Sequence, residues 1–272
     1  MASSWLDLLG AGLGGGLIVK ALDYLYQEYR LRSEARKSAT DLIDRHIDPI
    51  LKSADELVGK LRSLAQSDFR AIIKAPVPED SEFEKWLPYL DIIYLFAQFW
   101  SRIQILRIEG TFVNFSTDGR GKQLLDFFRA LEGTRTRIVS RAWQRGIGEA
   151  LLERTNNGYR NINYIEFVQR FLSQNGYRRW FNPLISVLSR IKHTREKQRL
   201  LTYGVIINAL IDTLDPGHLV TRDRPGWPNK LTNKSRKNLK YRLFKIYLPF
   251  VKNQSRYYMV SKNGSENTTG KK

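Results

Sequence analysis

The chain has no cysteine. That excludes a disulfide framework, a thiol nucleophile and every cysteine-ligated zinc or iron–sulfur site. Histidine is nearly absent as well. His46, His193 and His218 are the only three, and none is followed by a second histidine at the spacing of a zinc-binding helix. No P-loop and no G-x-S-x-G nucleophile elbow occurs. These gaps leave no catalytic motif and no metal or cofactor motif, so the expectation is a non-enzymatic protein.

Acidic residues are in short supply. Lys and Arg number 45 against 27 Asp and Glu, a formal net charge of +18 over 272 residues, with a pI near 10.1. Such a surface attracts anions: nucleic acid, acidic lipid headgroups or an acidic partner. The imbalance is concentrated. Residues 216–272 hold 14 Lys and Arg against Asp223 and Glu266. The acids elsewhere read as solvated helix faces, caps and loops, as at Asp41, Asp44 and Asp48 or at Glu79–Glu84. With 42% hydrophobic and 12% aromatic residues the chain can still build a core.

Long apolar runs are also scarce. One stands out, Leu8 to Val19, 12 residues of apolar side chains and glycine inside the window Trp5–Tyr26. As a helix that window reaches about 33 Å, enough to cross a bilayer if Asp7, Lys20 and Asp23 lie at its interfaces. Trp5, Tyr24 and Tyr26 suit an interface, and Lys20 can snorkel. The bases Arg30, Arg32, Arg36 and Lys37 follow the run, so the positive-inside rule puts the body in the cytoplasm. MASSW lacks the basic start of a cleaved signal peptide. The alternative is a buried N-terminal core helix.

Gly10, Gly12 and Gly15 fit G-x-G-x-x-G, but the next 30 residues read as helix with no second strand, which a dinucleotide fold requires. The pairs Gly10/Gly14 and Gly12/Gly16 suit instead a helix face on which another helix packs closely, and so a homo-oligomer.

Beyond residue 22 helical periodicity dominates. A charged helix runs to Ile47. Asp48 and Pro49 are expected to start another, bearing Ile50, Leu51, Leu57, Val58, Leu61 and Leu64. Residues 75–81 read as a loop. Pro88 to Arg107 is richly apolar, but Asp91, Gln98 and Arg102 interrupt it, so it reads as a core helix rather than a second span. Thr111–Phe115 is a short strand or an extended link. Further helices are expected at 121–131, 135–153, 164–174, 183–190 and 195–214. After Asp215-Pro216 the composition becomes that of a basic tail. Leu239 to Val251 should order on something, Pro249 disfavours a helix to the end, and the last residues read as disordered.

Three basic stretches are candidates for anion binding. Arg137, Arg141 and Arg145 recur every four residues, one stripe on the expected helix 135–153. They suit phosphate, but also suit pairing with a neighbouring helix. Arg178 and Arg179 sit among Tyr177, Trp180 and Phe181, a mixture that can stack and neutralise single strands or simply turn its aromatics into the core. Arg236, Lys237, Lys240 and Arg242 lie in the tail, which can grip RNA or lie on an anionic bilayer.

The sequence thus predicts a mainly α protein: a membrane anchor helix over 1–30, a helical bundle over 31–215 and a basic, partly disordered tail over 216–272. The expected role is a single-pass, oligomerising sensor, scaffold or membrane-disrupting effector that binds anionic headgroups. The competing expectation is nucleic-acid binding through the tail and the arginine stripe.

Overall fold

The computed structural model describes residues 4–75, 77–78, 82–156 and 158–260, with the backbone alone over 4–22. It is mainly helical, with eleven α-helices and one short hairpin among the described residues. The first helix, α1, runs from Ser4 to Gln66. At 1.5 Å per residue its 63 residues span about 95 Å. It continues without a break through Pro49, where a new helix was expected. Pro49 has no N–H for the carbonyl four residues earlier, which ordinarily costs about 3 kcal/mol. Here both flanks of the proline are buried, since Ile43, Ile47, Ile50, Ala54, Leu57 and Leu61 form one inward row at spacings of three and four. Helical register is worth more than the single lost bond.

Helix α1 is continuous through residue 30. From residue 23 to 38 α1 is almost wholly exposed, and the core begins at Ala39. No helix among the described residues is long and apolar enough to cross a membrane. Residues 23–38 (DYLYQEYRLRSEARKS) are too charged for it. The run Leu8–Val19, with Trp5, Gly10, Gly12, Gly14, Gly16 and Lys20, lies where side chains are outside the described residues. The expected anchor therefore gains no support from the structure. Tyr24 is described, and 68% of it is exposed.

Helix α2 (Arg70–Lys74) follows a tight turn, and α3 (Phe83–Glu109) then crosses the middle of the molecule. Its Trp86, Leu90, Ile93, Phe96, Ala97, Phe99, Trp100 and Ile103 are buried on several sides, so the 88–107 segment is a core helix as its interrupting polar residues implied. Residues 111–114 form no strand, and Phe112 is fully exposed. Helix α4 (Gly119–Glu132) starts where the Asp118 carboxylate accepts from the N–H groups of Arg120 and Gly121. Helix α5 (Arg141–Glu149) is capped by Ser140, six residues later than expected.

An antiparallel hairpin of β1 (Leu152–Thr155) and β2 (Gly158–Asn161) follows, then α6 (Tyr164–Ser173), α7 (Asn175–Arg179), α8 (Asn182–Ser189) and α9 (Thr194–Leu214). Helices α1, α3 and α9 form the centre, with α4 against α9 and α5 against α3.

The segment expected to be a tail joins this core. A 3-10 turn at Pro228–Lys230, α10 (Asn233–Asn238), a π-helical stretch at Leu239–Tyr247 and α11 (Ser255–Tyr258) are its elements. Trp227, Leu239, Phe244, Leu248 and Tyr257 are buried. Arg224 clamps the segment to α1, donating to both oxygens of Asp55 at 2.7 and 2.9 Å. The Trp227 ring lies so near Gly204 of α9 that a Cβ there would approach it to 2.7 Å. The charges of 216–260 dominate its sequence, but its aromatic and aliphatic residues determine where it sits. The helix ends before Pro249, as expected.

Candidate anion-binding site

Three separate segments enclose a cavity of about 970 Å³. One wall is the end of α4 and the turn after it, from Arg129 to Thr136. The second is the first two turns of α9, where Thr194, Arg195, Gln198, Arg199 and Thr202 fall on one face at helical spacing. The third is α10 with the π-helical stretch, from Thr232 to Tyr247. Gln198 ties the second wall to the third. Its amide donates to the Lys230 carbonyl at 3.0 Å and its oxygen accepts from the Thr232 N–H at 2.8 Å. Arg199 ties the second to the first, donating to the Arg137 and Ile138 carbonyls at 2.5 and 2.9 Å.

Among the described residues the lining holds Arg129, Arg135, Arg195, Arg199, Lys234 and Arg242, and no Asp, Glu or His. Arg129 is paired with Asp126 at 2.8 Å. The other five form no ion pair among the described residues. Two unit charges about 10 Å apart repel by about 1.7 kcal/mol at an effective dielectric constant of 20. Several such pairs around one cavity make a potential that an anion relieves. Burial, reinforced by Arg195, pulls the Arg199 guanidinium below its ordinary value, although Glu196 opposes the shift. The start of α9 adds to this field. His193 provides no side-chain cap, and Thr194 and Arg195 of the first turn, at the positive end of the helix, line the cavity. The π-helical wall is a rare geometry that concentrates at functional sites.

Of the residues singled out in sequence, only Arg242 lines this cavity. Arg236, which bonds Asn233, and Lys237 and Lys240 belong to the same wall segment but not to the lining. Lys240 lies over the Tyr241 ring. The expected stripe does not form. Arg137 precedes α5 and is out of its register, while Arg141 and Arg145 turn to Glu132, at 3.1 and 3.7 Å. Arg107 meets the same carboxylate at 2.5 Å. Three arginines thus share one acid that is nearly buried, which makes a structural cluster rather than an open phosphate face. Arg178 stacks over Trp86, and Arg179 is exposed. Tyr177 and Phe181 pack inward, while Trp180 stays half-exposed against Trp143. Arg129, Arg135, Arg195 and Arg199 had no local signal, because what distinguishes them is that separate segments of the chain bring them to one cavity.

A second polar cluster joins Asp212, His218 and Asp223, whose ligand atoms lie within 4.8 Å of one another. Their spacing in the chain fits no helical metal motif. Arg256 already supplies a cation there, at 3.4 Å from Asp212 and 3.2 Å from Asp223, and the Tyr257 hydroxyl donates to Asp212. Burial pushes the Asp212 carboxyl up, against the pull of these partners. The cluster fastens α11 to α9. His46 is buried and meets Glu109 at 2.9 Å, between α1 and α3.

No family model, curated protein or solved structure matches the chain.

Proposed function

We propose that the protein is a non-enzymatic binding protein that takes up a phosphate-bearing anion in the cavity between α4, α9 and the C-terminal segment. One observation carries the reading: six cations line a single cavity, with no carboxylate among them. Guanidinium groups match phosphate oxygens in pairs, and the hydroxyls of Thr194 and Thr202 add neutral donors. The lining offers no carboxylate or imidazole for general acid–base chemistry, which favours binding over turnover.

Calorimetric titration with inorganic pyrophosphate tests this. One site is expected in the full chain, weakened at least tenfold by Arg195→Ser with Arg242→Ser. Both residues are exposed, so the fold should survive. Absence of binding by the full chain, or equal binding by the double variant, overturns the reading.

A membrane-held form of the same function has its own support. Tyr24, Leu25, Tyr26, Tyr29 and Leu31 are exposed on the part of α1 that leaves the core, directly after the apolar run. Aromatic residues bracketed by arginines suit a bilayer interface. Residues 1–30 then act as the anchor, the body lies in the cytoplasm, and copies associate through the glycine face as a sensor or effector.

A further inference from the structure

We propose that the cavity selects a nucleoside polyphosphate, with its phosphates among the arginines and its base against Tyr247. This rests on the anion-binding reading above and adds the identity of the ligand's uncharged part. The cavity lining is chemically mixed. Arg135, Arg195 and Arg199 come from the first two walls, and Lys234 and Arg242 from the third. Around Arg242 on the π-helical wall, Leu239 and Leu243 form a buried apolar floor, while Ile246 and Tyr247 are about 60% exposed. A bare phosphate has no use for these apolar and aromatic groups. An exposed tyrosine next to an isoleucine, within one cavity with unpaired arginines, suits a flat ring tethered to phosphate. Base–aromatic stacking contributes to affinity whatever the base.

Asn238 points to a ring with a hydrogen-bonding edge rather than to an acyl chain. It lies one residue before Leu239 in the lining, and its amide makes no hydrogen bond among the described residues. An acyl chain laid over it would strip its water without replacing those bonds, at a desolvation cost, whereas a base can pair with it. The volume of about 970 Å³ lies at the upper end of ordinary small-ligand pockets, so phosphates and base fit together.

The test titrates the full chain in parallel with inorganic pyrophosphate, adenosine triphosphate, adenosine and a short-chain phosphatidic acid. Adenosine triphosphate should bind about tenfold tighter than pyrophosphate, within the range that one aromatic stack provides. Tyr247→Ala should remove that advantage and leave pyrophosphate binding as it was. The ring is mostly exposed, so its loss should not disturb the core. Pyrophosphate binding with no gain for the nucleotide overturns this proposal while the anion site stands. Tighter binding of the phosphatidic acid also overturns it, in favour of a lipid headgroup. No binding of any phosphate overturns both readings.

Discussion

Asp215 shows how one side chain positions a segment. Its carboxylate accepts from the N–H groups of Leu219, Val220 and Thr221 at 2.9–3.0 Å, and from the Thr221 hydroxyl at 2.8 Å. It thereby closes the end of α9 and turns the chain towards the third wall of the cavity. Burial alone would push this carboxyl up, but the four hydrogen bonds together hold it below the ordinary carboxylate range. Asparagine offers one accepting oxygen, and its amide opposes the remaining donors. Asp215→Asn should therefore cost about 1–3 kcal/mol at pH 7. The sign of the pH dependence follows from the depressed value. The stabilisation is present above the carboxyl's unfolded value, near 4, and is lost as pH falls through the lower folded one. Urea unfolding of both proteins should show a gap that is widest near neutrality and narrows below about pH 4. A gap that stays constant to pH 3.5 would mean that the ionised form is not what the turn requires.

At the scale of elements the sequence was legible wherever a helix has its own apolar face. α4, α6, α8 and α9 lie within two residues of their expected limits, because periodicity is local; side chains cap only the first two of them, Asp118 and Asn163. Pro49 misled because a proline signal is local while the burial that overrides it is not. The hairpin of β1 and β2 has no alternating apolar pattern. It depends on Gly158, whose φ of +121° few other residues adopt. The exposed part of α1, residues 23–38, raises the opposite question, since it is helical with almost no burial among the described residues. If it anchors the chain, the full-length protein should stay with membranes after a high-salt wash, because screening removes only electrostatic attachment. Deleting residues 1–26 should release it. Gly12→Leu with Gly16→Leu should remain inserted but lose crosslinked oligomers, since glycine faces associate through close van der Waals contact. The Leu13→Ala, Leu17→Ala control should keep them. Release of the intact protein by salt would remove the anchor, and unchanged crosslinking of the glycine variant would remove the interface.

The whole molecule determines what single segments could not reveal. The cavity joins residues 129–136, 194–202 and 232–247, and only their meeting leaves arginines without acids. In sequence the bases of 216–260 look like a detachable tail, because charge is what composition displays. Its apolar residues are fewer but committed. Trp227, Leu231, Leu239, Leu243, Phe244, Leu248, Val251 and Tyr257 are all buried. At about 1.5–3 kcal/mol each before the cost of ordering the segment, these eight side chains are a burial term comparable with the net stability of most domains, about 5–15 kcal/mol. Truncation after Asp215 should therefore not yield a folded bundle with weakened anion binding. It should uncover the α9 face that Trp227 covers and the Asp55 carboxylate that Arg224 pairs. The product should unfold or aggregate, with lost near-ultraviolet dichroism and binding of a hydrophobic dye. Ending the chain after Val260 instead removes Lys262, Lys271 and Lys272 and keeps all eight of these buried residues. That shorter cut should keep the cooperative unfolding transition and the pyrophosphate site. A truncation at Asp215 that unfolds as cooperatively as the full chain would show that the last segment is an appendage, and the cavity would then lose its third wall.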